Sequence, residues 1–307
     1  MKRAVSVSIG SSKRNKKVEV NLLGEDVSIE RIGTDGDMEA AAQKYKELDG
    51  TVDAFGVGGA DLGALADGKW YPFYSVRPMV RFVEKTPLVD GGGLKNTLEN
   101  KAPGFLDSKI KDYIDARGRK ALVTVGVDRW GLSKSFEEAG YEMVFGDMMF
   151  GLDIPMAVRS TKGLKRMAAL LMPIAGRLPF EMLYPTGEKQ EAHVPKWQKY
   201  YHWATVIVGD CHYVKRHMPL DGMEGKVVVT NTTTPADVEF FKKVGIKYLL
   251  TTTPVLDGRS FGTNMMEAAL VAASGKNRPL TWDELSEMIE KLGFEPQLQD
   301  LHPEMPG

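Results

Sequence analysis

Ala121-Leu122-Val123-Thr124-Val125-Gly126-Val127-Asp128-Arg129-Trp130-Gly131-Leu132 decides the fold. An apolar, β-branched run feeds a glycine-bearing turn, and a helical pattern follows from Leu132 to Ala139. Gly140 closes that helix, and Tyr141–Phe145 reads as a second strand ending at Gly146-Asp147. Strand, helix and strand in this order make a βαβ unit with parallel strands. At the start of such a helix, free N–H groups and the positive dipole end favour an anion. Asp147 lies 21 residues beyond Gly126, the spacing at which an acid accepts from the adenosine ribose of a bound dinucleotide. Gly126, Asp128, Arg129, Gly131 and Asp147 are therefore the candidate cofactor contacts. NAD is favoured over NADP by the acid, although Arg159, Lys162 and Lys165 offer charge for a 2′-phosphate. The third glycine of a full fingerprint is missing. Leu132-Ser133 stands where a P-loop needs lysine, which argues against an ATPase. The competing reading is a plain βαβ unit whose glycines only make a turn.

Working outward, the second half keeps alternating. Thr205–Val208, Lys226–Thr230 and Ile246–Leu250 are predicted strands, and Pro235–Val244 and Asn264–Ala273 predicted helices. Thr234 before Pro235 is a helix cap, and Thr281-Trp282-Asp283-Glu284 is a capping box. Prolines at 155, 173, 179, 185 and 195 predict irregular chain over 152–200. The first half reads as strands Ala4–Ile9, Val18–Leu23, Val27–Ile32 and Val52–Val57, a helix Asp37–Leu48 and a hairpin through Asp67-Gly68. Phe105–Ala116 is helical. The fold class expected is α/β: a Rossmann-like parallel-sheet domain over 119–307, preceded by a smaller α+β domain over 1–118.

Composition bounds the function. The chain has 307 residues, 43 % of them apolar, with 40 Lys+Arg against 41 Asp+Glu. That is ordinary globular composition, and the balanced charge argues against a nucleic-acid partner. No apolar run approaches a membrane span, so no membrane partner is expected. Cys211 alone permits no internal disulfide, and a cytoplasmic location is the default. The histidines show no metal-ligand spacing, so no metal is expected.

Several residues fall beyond strand ends, where open parallel sheets bind ligands. Asn231 and Thr232, in Thr230-Asn231-Thr232-Thr233-Thr234-Pro235, and Thr252, in Thr251-Thr252-Thr253-Pro254, offer amide and hydroxyl groups to a substrate. Arg259, Ser260 and Asn264 lie in Asp257-Gly258-Arg259-Ser260-Phe261-Gly262-Thr263-Asn264, an arginine-bearing turn before a helix and a candidate carboxylate or phosphate grip. Val208-Gly209-Asp210-Cys211-His212-Tyr213 supplies Asp210 and His212 as proton-transfer candidates. Gly56-Val57-Gly58-Gly59-Ala60 reads as a tight turn, and Lys13 and Arg14 as a solvated turn.

The Ser6-Val7-Ser8-Ile9-Gly10-Ser11-Ser12 start, the Gly126–Gly131 segment and the 251–254 and 258–264 runs resemble bacterial proteins of the quinate 5-dehydrogenase type. Asn231-Thr232-Thr233-Thr234-Pro235 is similar to the substrate motif of the shikimate/quinate dehydrogenases, but Asp237 stands where their lysine is expected. Gly56–Ala60 resembles their cofactor motif, in the wrong order and without a helix. The resemblance implies NAD(P)-dependent oxidation of a hydroxyl on a small polyhydroxy carboxylate, quinate- or shikimate-like, in an interdomain cleft. Two other expectations stand beside it: a non-catalytic metabolite-binding protein, and a transferase or lyase taking a phosphorylated or nucleotide ligand. Homo-oligomerisation is left open.

Overall fold

The computed structural model describes residues 1–184, 193–253, 255–256 and 259–303, with 255, 256, 259 and 260 described by backbone alone. The chain divides into two units, neither of them continuous. The first is Met1–Thr97, Leu170–Gln190 and Val255–Phe294; the second is Leu98–Ala169, Glu191–Pro254 and Glu295–Gly307. This division differs from the expected cut between 118 and 119. The helix Ala102–Asp115 and the helices after residue 255 change sides, because their apolar faces pack in the other unit.

The first unit is built on a sheet of β1 (Lys2–Ser8), β2 (Lys16–Leu22), β3 (Glu25–Gly33), β4 (Ala54–Gly58) and β5 (Leu88–Val89). Its order is β2-β3-β1-β4-β5. β1 runs parallel to β3 and β4, β4 parallel to β5, and β2 antiparallel to β3. Side chains alternate across a strand. Val5 and Val7 of β1 join Phe55, Val57 and Tyr45 in one buried cluster. The Tyr45 hydroxyl donates to the carbonyls of Val7 and Gly56. The opposite face carries small residues, and there helix Thr263–Ser274 packs on β1, β3 and β4. Gly56 permits the approach: a Cβ on it would sit 2.8 Å from the Asn264 carbonyl oxygen. The hairpin through Asp67-Gly68 forms as expected, with φ of 50° and 76° at its tip.

The second unit is Rossmann-like. Its sheet holds β6 (Lys120–Val123), β7 (Glu142–Phe145), β8 (Val206–Val208), β9 (Val227–Thr230), β10 (Tyr248–Thr251) and β11 (Gln297–Asp300). The order is β11-β10-β9-β8-β6-β7, parallel except for β11. Leu122, Val144, Ile207, Val228 and Leu249 form its buried centre. The predicted caps are present: Thr234 with Asp237, and Thr281 with Glu284, each form a reciprocal capping box. The irregular chain expected over 152–200 is corrected. Thr161–Ala175 is a helix, with Pro173 in its last turn, where the lost N–H matters least to the rest.

Candidate functional site

From β6 the chain steps to one side, to β7, and then across to β8 on the other. Strand order therefore reverses between β6 and β8, and the crevice beyond their carboxyl ends is where open α/β sheets bind ligands. Residues 124–130 follow β6 there, and residues 209–212 follow β8.

Arg129 precedes helix Trp130–Glu138 and is 3 % exposed. Its guanidinium pairs with the buried Glu99 and lies 3.5 Å from Asp210 Oδ2 and 3.9 Å from Asp128 Oδ2. Burial alone would lower its pKa, but the charges of Glu99, Asp128 and Asp210 raise it above the ordinary arginine value. Asp210 caps helix Cys211–His217, accepting from the His212 N–H at 2.9 Å. Its other oxygen accepts from Asn231 Nδ2 at 2.9 Å. Asn231 in turn accepts from Thr230 Oγ1 at 3.1 Å and the Cys211 N–H at 3.4 Å. Burial would raise the Asp210 carboxyl, yet His212 and Arg129, with the bonds from His212 N–H and Asn231, hold it below the ordinary range. Asp210 stays ionised with 31 % of its side chain exposed. His212 is exposed beside it, and Thr232 is half-buried next to Asn231. Thr252 follows β10, its amide bonded to the Thr230 carbonyl at 2.9 Å. The Thr252 and Thr253 hydroxyls and Glu99 Oε1 are buried with no hydrogen-bond partner among the described residues.

The predicted diphosphate cradle needs correction. Asp147 turns back onto the loop and takes its amides: Gly126 N–H at 2.9 Å and Val127 N–H at 2.8 Å. Burial raises the Asp147 carboxyl to about 6, against the pull of those two amides. A Cβ on Gly126 would stand 2.7 Å from Phe145 and 2.9 Å from Leu164, so this glycine serves interior packing. A Cβ on Gly131 would meet the Asn100 side chain at 2.4 Å. The first amides of the loop are thus used inside the protein, and Asp147 faces them instead of a ribose. A dinucleotide does not fit this turn.

The other predicted residues divide between the units. Asn264 is in the first, donating to Ser6 Oγ at 2.6 Å. The side chains of Arg259 and Ser260 lie outside the described residues. The sequence reading missed Glu99, which precedes Arg129 by 30 residues and carries no local motif. Among the described residues, no cluster of three or more His, Cys, Asp and Glu could hold a metal. No helix there is long and apolar enough to cross a membrane.

Comparison with known proteins gives a family without an assigned activity. Residues 93–301 match the model described as "Domain of unknown function (DUF8754)", more than half of the chain, and residues 3–90 match "Domain of unknown function (DUF8753)". The chain belongs to the DUF8754 family. No curated protein matches. Among solved structures, the chain is similar to a malic enzyme described as NAD-dependent, from Thermotoga maritima. The identity is 12 %, coverage 94 % of this chain and 75 % of that one, and the TM-score 0.38. It is also similar to a glucose-galactose binding protein from Geobacillus stearothermophilus, with 10 % identity, 99 % of each chain covered and a TM-score of 0.37.

Proposed function

We propose that the chain binds a small polyhydroxylated metabolite at the carboxyl-end rim of the second unit, on Asp210, Asn231 and His212. The observation that supports this most is the ionised, part-exposed Asp210 held by Arg129 and Asn231 where the strand order reverses. Among the described residues, the Arg129 guanidinium there faces the carboxylates of Glu99, Asp128 and Asp210. That balance repels phosphates and carboxylates and suits hydroxyl groups, which donate to Asp210 and accept from Asn231 and the imidazole. Thr232 adds a further hydroxyl at the rim.

A second reading is oxidation of a ligand hydroxyl, as the NAD(P)-dependent dehydrogenase expectation has it. The adjacency of Asp210 and His212 favours it, since the exposed imidazole is placed to take a hydroxyl proton while Asp210 stabilises the resulting charge. A nicotinamide cofactor would then need a seat other than the loop closed by Asp147.

Titration calorimetry with quinate, shikimate, hexoses and polyols, alongside NAD and NADP, tests both. Saturable binding of a polyhydroxylated compound, lost in Asp210→Asn, is the expected result. Absorbance at 340 nm then separates binding from turnover. Equal binding by Asp210→Asn would overturn the proposed site. Tight NAD binding that slows hydrogen exchange of the amides over residues 126–131 would overturn the closed-loop reading.

A further inference from the structure

β2 forms one edge of the first unit's sheet, and among the described residues no strand pairs with its outer side. It runs seven residues, Lys16–Leu22, in unbroken register with β3, whereas the opposite edge, β5, has two. An open edge presents a row of N–H and C=O groups able to pair with another strand. The turn that joins β2 to β3 fixes which residues own that row. Leu22 is opposite Glu25 across a two-residue loop, Leu23-Gly24, with φ of 55° and 91°. In such a hairpin the flanking residues form a hydrogen-bonded pair, and the pairing alternates from there. Leu22, Val20, Val18 and Lys16 therefore bond to β3. Asn21, Glu19 and Lys17 turn their amides and carbonyls outward.

The side chains along this edge are patterned too. Lys17, Glu19 and Asn21 are exposed on one face. Val18 and Val20 are half-buried on the other, opposite Ile29 and Val27 of β3. Lysine on an open edge usually discourages self-pairing. Here its effect depends on register. Two copies of β2 related by a twofold axis run antiparallel, and only an axis through a residue sets outward amides against outward amides. An axis at Glu19 puts Glu19 against itself, and one at Lys17 puts Lys17 against itself. Like charges directly opposite are destabilising. An axis at Val18 puts Lys17 against the partner's Glu19, and Glu19 against the partner's Lys17. Both are hydrogen-bonded positions, so each pair exchanges ladder bonds while its charges attract. Val18 then meets the partner's Val18 at a non-hydrogen-bonded position, where side chains approach most closely.

We infer that β2 is the interface of a homodimer in which two copies pair antiparallel about Val18, joining their sheets edge to edge. The partner is a second copy and not a foreign strand, because Lys17 and Glu19 complement themselves under a twofold axis. The interface uses no residue of the Asp210 rim and stands whether or not that reading holds. Sequence reading finds the strand but not its place at the edge, which the pairing order supplies.

The test is sedimentation velocity on the full chain, from about 1 µM to about 300 µM. Wild type should sediment as a dimer at the upper end. Glu19→Lys and Lys17→Glu should each raise the dimer dissociation constant about tenfold or more, because both opposite-charge pairs become like-charge pairs. An equimolar mixture of these two variants should dimerise within about threefold of wild type, since lysines then face glutamates again. Glu19→Pro removes an outward amide and no bond to β3, so it should abolish the dimer while the chain stays folded. A wild type that is monomeric at about 300 µM, with or without a foreign peptide along β2, overturns the assignment. So does an unchanged dissociation constant in Glu19→Lys, or a mixture that stays monomeric.

Discussion

Replacing Asp147 by asparagine removes a pH dependence that the closed loop imposes. The carboxyl is raised from the ordinary 3.8 to about 6, first by burial, with the Val127 and Gly126 amides opposing. A folded-state pKa above the unfolded value means the folded protein binds the proton more tightly. The stabilisation is complete below the unfolded pKa and is lost as pH rises through about 6. A rise of about two units at ~1.36 kcal/mol each corresponds to about 3 kcal/mol across that window. Urea unfolding of wild type and Asp147→Asn, at half-unit steps from about pH 4 to pH 7.5, reads the difference. Glu267 is also raised, to about 8, by burial and the neighbouring Asp90. It contributes the same sign to both proteins and cancels in the comparison. Wild type should lose about 2.5 kcal/mol relative to the variant between the two ends, the remainder lying below about pH 4. Parallel curves, within about 0.5 kcal/mol, would refute the reasoning and return Asp147 to a solvated position.

Other outcomes follow from specific contacts. Glu99→Ala strands a buried guanidinium and should cost about 3 kcal/mol, the low end of such losses because Asp210 and Asp128 remain near Arg129. The double replacement Glu99→Met with Arg129→Met should recover most of it in the same denaturation assay. Gly209 has φ 154°, and a Cβ there would lie 2.1 Å from Thr124 Oγ1. Gly209→Ala should cost about 2–4 kcal/mol, partly relieved by adding Thr124→Ala; no relief would place the cost in the backbone alone. Thr281→Ala removes the cap of helix Trp282–Lys291 and should lower stability by about 1 kcal/mol, seen as a reduced melting temperature.

Much of the architecture was legible because the signals were local. Thr234-Pro235 announces a helix start through a cap followed by proline, and Thr281–Glu284 through groups three residues apart. The apolar run at 121–123 with its glycine turn announces a parallel strand. The prolines misled over 161–175, since a proline in the final turn looks in sequence like one in the middle. At the site, Asp210 and Asn231 were legible from their places after strands. Asp147 was found but its role was not: spacing puts the acid at the end of β7 without saying which way its carboxylate turns. Glu99 carries no pattern of its own. It gains meaning from a partner brought near by packing.

The interleaved units also set a schedule for biosynthesis. All strands of the first sheet have emerged by residue 89, yet the helix that roofs Ser6 and Gly56 begins only at Thr263. At ~5–20 residues per second, that roof arrives on the order of ten seconds later. Throughout that interval the nascent sheet lacks the helix that covers its small-residue face. Any fragment ending before Thr263 lacks that cover for good and leaves Gly56 and Ser6 open on that face.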